Sequence, residues 1–199
     1  MLIYKNKITG KYSPPGDKSI SHRAIILTSQ AVGKSQITNL LEGEDVRNTI
    51  KAMKALGARV IKDKNKYIVY GLPPGALFQP KKHLDFGNSG TGIRLLVGLI
   101  SSNNIKAILK GDRSLSKRPM QRVAVHLKKI GALIELKKNS FPPIRIKGVG
   151  DAIPLNYDIK IPSAQIKSAI MLSALNTNGL VKIKELKSTR DHTENMLKA

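Results

Sequence analysis

The stretch Pro14-Pro15-Gly16-Asp17-Lys18-Ser19-Ile20-Ser21-His22-Arg23, followed by Ala24-Ile25-Ile26-Leu27, sets the reading of the whole chain. Two prolines and a glycine end whatever precedes them. Ser19 and Ser21 then offer hydroxyls to the free N–H groups of a first helical turn. Lys18 stands just before that turn, and Arg23, four residues after Ser19, shares its helix face. A lysine, a hydroxyl, open N–H groups and a guanidinium converge at one positive helix end. Such an end holds a phosphate or carboxylate. The competing reading is an ordinary capped helix with two solvated cations, in which Asp17 is a cap and His22 has a capping or surface role.

Working outward, the first helix spans about Ser19 to Ala31. It is apolar nearly all round, so it is expected to be buried on most sides. Gly33 stops it and Ser35 to Leu41 reads as a strand. Glu42-Gly43-Glu44-Asp45 opens a second helix whose apolar residues Val46, Ile50, Met53 and Leu56 form one stripe, which places it at the surface. Gly57 ends it. Arg59 to Lys62 and Lys66 to Tyr70 read as two strands joined by Asp63-Lys64-Asn65.

The same grammar then returns. Gly87-Asn88-Ser89-Gly90-Thr91-Gly92 opens a second helix that is apolar nearly all round, with Arg94 on it. Ile105 to Leu109 is a strand, and Arg118-Pro119 is read as the start of an amphipathic helix. Gly131 ends that helix before strands Leu133 to Leu136 and Ile144 to Lys147. Gly57 and Gly131 occupy the same slot, 74 residues apart. A third unit follows: strand Ile159 to Ile161, a buried helix capped by Pro162-Ser163-Ala164-Gln165, strand Leu180 to Ile183, and a helix opened by Asp191-His192-Thr193-Glu194. The sequence ends within that helix, and a glycine and two strands are the expected continuation. The fold class is therefore α/β, with repeated β-α-β-α-β-β units around buried parallel helices and a truncated third unit. If the units are related by rough symmetry, three polar helix starts (Lys18-Ser19, Asn88-Ser89-Gly90-Thr91 and Ser163-Ala164-Gln165) point one way and surround one anion.

Composition narrows the chemistry. The 199 residues include no Cys, which excludes disulfides, thiolate catalysis and Cys-ligated zinc. The four His lack metal-ligand spacing, so no metal is expected. No apolar run reaches the roughly 18–20 residues that cross a bilayer, and no signal peptide is visible; a cytoplasmic protein is the expectation. The net charge of +22, with 26 Lys and 9 Arg, calls for an anionic partner. The glycine-rich loop is neither G-x-G-x-x-G nor a P-loop, so nucleotide binding has no motif support.

Five ordered motifs resemble the EPSP synthase (3-phosphoshikimate 1-carboxyvinyltransferase) family along the whole chain. They are Pro15 to Ala24, Gly87 to Thr91 with Arg94, Gly111-Asp112 through Arg118-Pro119, Ser163-Ala164-Gln165, and Ser188 to Glu194. The resemblance implies an inverse α/β barrel of two globules with both substrates between them, and no required cofactor. Residues 13–199 would be the first globule, in units of about 13–75, 76–149 and 150–199. Residues 1–12 would be a strand belonging to the second. The implied reaction moves the enolpyruvyl group of phosphoenolpyruvate to shikimate 3-phosphate, on the route to aromatic amino acids. Lys18 would be catalytic and touch both substrates. Ser19, Arg23, Ser163, Gln165, Ser188 and Arg190 would hold shikimate 3-phosphate; Gly90, Arg118 and Gln165 would hold phosphoenolpyruvate. Ala164 departs from the Ser of some members, so only its backbone is on offer. The implied complete protein is a monomer that needs a C-terminal globule, and this piece alone is expected to be inactive.

Two alternatives stay open at this point. A UDP-N-acetylglucosamine enolpyruvyl transferase shares the implied fold, but typically carries a reactive Cys. A basic nucleic-acid-binding module would account for the charge, yet aromatics are only 4% of the chain and no stacking motif is present, so no nucleic acid partner is expected.

Overall fold

A computed structural model describes residues 9–199. The expected strand over residues 1–12 falls mostly outside that range, and residues 9–12 form no strand. In chain order the elements are α1 (Lys18–Thr28), β1 (Gly33–Thr38), α2 (Glu44–Ala55), β2 (Arg59–Asp63), β3 (Lys66–Gly71), β4 (Leu84–Asp85), α3 (Gly90–Ser101), β5 (Lys106–Lys110), a 3-10 turn (Leu115–Lys117), α4 (Gln121–Lys128), β6 (Leu133–Lys137), β7 (Phe141–Lys147), β8 (Asn156–Ile159), α5 (Ala164–Ala174), β9 (Lys182–Glu185) and α6 (His192–Lys198).

The repeat is visible in the sheets. β1-β3-β2 is antiparallel throughout, with Gln36 and Ile61 both opposite Ile68. The second sheet, β4-β5-β7-β6, pairs β4 parallel to β5 before the antiparallel β5-β7-β6 set. β8 and β9 are parallel, as β4 and β5 are. Among the described residues the three sheets remain separate. One device closes the first two units alike. Leu72 N–H donates to the Ser29 carbonyl at 2.9 Å, and Val149 N–H to the Ser101 carbonyl at 3.1 Å. The preceding Gly71 and Gly148 have no room for a Cβ, which would overlap the Ala31 and Ile100 carbonyl oxygens respectively. Each hairpin is thus pressed against the C-terminal end of its buried helix.

The core is aliphatic, as the composition requires. Ile25, Ile26, Met53, Leu56, Ile93, Leu95, Leu96, Leu99 and Ile100 are fully buried. α3 is buried on nearly every side. It meets α5 closely because Gly98 lets the backbones touch; a Cβ there would stand 2.7 Å from Ala169 Cα. The stripe Val46, Ile50, Met53 and Leu56 faces the core and leaves Arg47, Lys51 and Lys54 in solvent. The structure corrects three expectations. α1 and α5 are buried but not uniformly apolar, since α1 buries Ser21, His22 and Arg23 and α5 buries Lys167, Ser168 and Ser173. α4 begins at Gln121 and not at Arg118-Pro119. The Asp112 carboxylate accepts from Leu115 N–H at 2.7 Å and winds a 3-10 turn, after which Met120 N–H is taken by the Ser140 carbonyl. Asp191 occupies the N-cap position of α6 but makes no side-chain cap bond.

Candidate functional site

The start of α1 is capped by Asp17, whose carboxylate accepts from Ile20 N–H at 2.8 Å. Ser19 and Ser21 do not cap. The Ser21 hydroxyl accepts from Leu41 N–H at 3.0 Å and ties the helix to the segment after β1, while the Ser19 carbonyl accepts from Arg23. Lys18 reaches to the first turn of α2, where Asp45 holds it at 2.9 Å; its side chain remains 55% exposed. α3 is capped by Ser89, which accepts from Gly92 N–H at 3.1 Å, and α5 by Ser163, which accepts from Ile166 N–H at 3.4 Å.

Side chains join these three starts in a closed ring. Between α1 and α3, His22 Nε2 lies 3.4 Å from Ser89 Oγ. Between α3 and α5, Gln165 accepts from Arg94 at 3.0 Å and donates to Thr91 Oγ1 at 3.0 Å. Between α5 and α1, Arg23 donates to Ser168 Oγ at 2.8 Å. Gly90 and Gln165 are tied together through Arg94, which donates to both, and Lys18 opens the helix whose His22 and Arg23 enter the ring. The separate helix signals had no means of showing which side chains close that ring, because the partners are 67, 71 and 145 residues apart.

Around Gly90 the cations gather. Arg94 donates to the Gly90 carbonyl at 3.1 Å and to the Pro119 carbonyl at 3.0 Å. Arg118, at the end of the 3-10 turn, donates to Asn88 Oδ1 and lies 3.4 Å from Ser114 Oγ. Its loop is fixed to the glycine-rich loop by Asp112 N–H, which donates to the Gly87 carbonyl at 2.8 Å. The Arg94 guanidinium is pushed below its ordinary pKa, first by burial and then by the charges of Arg118 and Arg122. Arg113 and Lys117 point to solvent.

A second cation group lies beside α1. Arg23 is almost fully buried and donates to Thr193 Oγ1 at 2.7 Å as well as to Ser19 and Ser168. Burial lowers its pKa first, and the neighbouring Arg190 charge lowers it further, against Glu194 and Asp17. Arg190 and Ser188 are exposed. Arg94 beside Arg118 and Arg122, and Arg23 beside Arg190, are thus groups of like charge that repel each other, an arrangement that a bound anion relieves.

The sequence reading missed three features here. His22 is completely buried rather than superficial, with Nδ1 2.8 Å from Thr49 Oγ1. Its pKa is pushed down to about 4, by burial above all; Lys18 and Arg23 add to this and Asp45 opposes it. Thr193 and Ser168 bond each other at 2.7 Å and share Arg23, so α6 helps to hold the site. Lys167 sits among apolar neighbours on α5 and bonds Glu185 at 2.7 Å and also Glu194. A lysine inside an apolar helix was the available signal for that buried ion cluster. For Thr193 and Ser168 no local signal exists.

The family model for EPSP synthase (3-phosphoshikimate 1-carboxyvinyltransferase) matches residues 4–199. A 3-phosphoshikimate 1-carboxyvinyltransferase of Zymomonas mobilis is 47% identical over 192 residues, 96% of this chain and 42% of that protein. One of Brucella canis is 46% identical over 194 residues, 98% of this chain and 43% of that protein. The solved structure of the Acinetobacter baumannii EPSP synthase superposes with a TM-score of 0.90 at 40% identity, over 95% of this chain and 43% of that one. The chain spans less than half the length of these relatives. With the family model matching residues 4–199 and the fold superposing on a solved member, the chain belongs to the EPSP synthase family.

Proposed function

We propose that this chain provides one substrate-holding half of an enzyme that transfers the enolpyruvyl group of phosphoenolpyruvate to the 5-hydroxyl of shikimate 3-phosphate. The observation that supports this is the two groups of mutually repelling guanidiniums, Arg94 with Arg118 and Arg122 and Arg23 with Arg190, together with Lys18 exposed at the start of α1. Gly90, Arg118 and Gln165 would take phosphoenolpyruvate. Ser19, Ser163, Gln165, Ser188 and Arg190 would take shikimate 3-phosphate, and Arg23 would add its charge from beneath. Residues 13–199 would form one globule in units of about 13–75, 76–149 and 150–199, and residues 1–12 a strand of the second.

In the reaction, the 5-hydroxyl oxygen bonds to C2 of phosphoenolpyruvate, its proton is lost, and C3 gains a proton. The tetrahedral adduct then loses phosphate from C2 and a proton from C3, which restores the double bond. Both steps need a positioned proton carrier and fixed cations against phosphate and carboxylate. Lys18 would serve as the carrier; its ammonium is held by Asp45 and open to solvent, which supports that role. Because the chain spans less than half of its relatives, turnover is proposed to require the remainder of such a protein, and the chain alone to bind weakly.

The test fuses this chain to the C-terminal portion of a relative and follows phosphate release from the two substrates. Release is expected, and Lys18→Met should lower kcat by about a hundredfold or more, the lower end for a lost acid–base group. Near-normal turnover by that variant refutes the role of Lys18. Turnover by the 199-residue chain alone refutes the need for a second half.

A further inference from the structure

We infer that His22 is a positioning residue: as the neutral Nδ1–H tautomer it fastens the Ser89 cap of α3 to α2, and so sets where the Gly90 backbone stands relative to Lys18. The bonding pattern selects this tautomer. Ser89 Oγ already accepts from Gly92 N–H at 3.1 Å, so its own hydrogen needs an acceptor, and His22 Nε2 is 3.4 Å away. Thr49 Oγ1 lies 3.4 Å from the Asp45 carbonyl, to which it donates, and 2.8 Å from His22 Nδ1. With the hydrogen on Nδ1, Ser89 donates to Nε2, Nδ1–H donates to Thr49, and Thr49 donates to Asp45. Every hydroxyl then gives one hydrogen and finds one acceptor. With the hydrogen on Nε2, the Ser89 hydrogen loses its acceptor and Thr49 must abandon the Asp45 carbonyl. An imidazolium keeps the Thr49 bonds but likewise leaves the Ser89 hydrogen without an acceptor, inside a site with no solvent to repair it.

This chain of bonds ends on a residue with a second task. Asp45, whose carbonyl receives Thr49, also holds Lys18 with its carboxylate. The cap of α3 and the ammonium of Lys18 are thereby referred to the same turn of α2. The charged groups facing His22 are Lys18 and Arg23 on its own helix and Asp45 on α2; α3 faces it with the Ser89 hydroxyl. Burial keeps the second proton off; the Lys18 and Arg23 charges act with it and the Asp45 carboxylate against it.

The ligand part of this inference rests on the function proposed above; the cap part does not. The experiment uses the 15N-labelled 199-residue chain. Long-range ring 15N correlations at neutral pH should show Nδ1 protonated and Nε2 bare. As pH falls and the ring takes its second proton, near pH 4, the Gly92 amide should lose more exchange protection than those of Leu96 and Val97 in the same helix, which fall only with the global stability. His22→Asn, whose amide reaches Thr49 but not Ser89, should abolish that step. It should also weaken phosphoenolpyruvate binding, read at the Gly90 amide, about fivefold, the worth of one neutral hydrogen bond, and leave shikimate 3-phosphate binding unchanged. An Nε2–H tautomer, Gly92 protection that ignores the titration, or equal losses for both ligands overturns the inference. If phosphoenolpyruvate leaves Gly90 of the unaltered chain unmoved, the ligand assignment falls, and the ring and Gly92 results still decide the role of His22.

Discussion

Replacing Lys167 with Met probes how α6 is held against the site. The Lys167 side chain is only 7% exposed and lies between Glu185 on β9 and Glu194 on α6, whose side chains are 12% and 25% exposed. Methionine fills the space of the stem but removes the charge, leaving two carboxylates facing each other with one Glu194 oxygen already unpartnered. Breaking a buried pair by removing one partner costs about 3–5 kcal/mol, and the partial exposure of Glu194 argues for the lower end, about 3 kcal/mol. For a domain of this size that corresponds to a fall in Tm of roughly 6–12 °C. Burial alone would raise the Glu185 carboxyl pKa, but hydrogen bonds from Lys167 and Thr189 outweigh it and hold the group below its ordinary value. Its contribution to stability is therefore present above the unfolded carboxylate pKa and lost as pH falls through the folded one. Calorimetric melts at neutral pH, with urea titrations, read the loss directly. The triple change Lys167→Met, Glu185→Gln, Glu194→Gln should recover most of it, because no uncompensated charge remains. A Lys167→Met melt within 2 °C or so of the unaltered chain, or a triple variant no more stable than the single, refutes the reasoning.

Other perturbations follow from the same geometry. Gly98→Val forces a side chain into the Ala169 backbone and should separate α3 from α5, with a loss of at least about 2 kcal/mol in urea titration and weakened contacts of Gln165 with Arg94 and Thr91. Asp17→Ala removes the α1 cap and should cost about 1 kcal/mol, read as a Tm decrease of a few degrees. His22 is held neutral with a folded pKa of about 4 against an ordinary 6.5. The unfolded chain therefore binds more protons between those values. The His22 contribution is complete above pH 6.5, falls as pH drops toward 4, and amounts to about 3 kcal/mol; urea titrations at pH 7 and pH 4.5, with His22→Asn as comparison, measure it. Gly90→Ala places a Cβ 3.1 Å from the nearest Arg94 nitrogen and 3.2 Å from that of Arg118, so it should displace both guanidiniums slightly. Phosphoenolpyruvate affinity should fall more than shikimate 3-phosphate affinity, by paired titration.

Much of this molecule is local in origin. The apolar stripe of α2, the proline and glycine stops, and the slot shared by Gly57 and Gly131 are decided by neighbours a few residues away, so element type and the repeat follow from the sequence alone. The motifs carried the family for the same reason, since each is a short run around one turn. Helix boundaries followed less well where a side chain intervened: Asp112 winds the 3-10 turn that delays α4, and Asp17 takes the cap that two serines also offered. What only the tertiary structure decided is which polar groups are buried and with whom. The groups that bury His22, Arg23 and Lys167 are not visible beside them in sequence, because burial of a charge or an imidazole depends on partners supplied by other helices, here Thr49, Thr193 and Glu194. Those partners are distant along the chain and near only once the aliphatic helices have packed, so no periodicity or motif in the sequence records them.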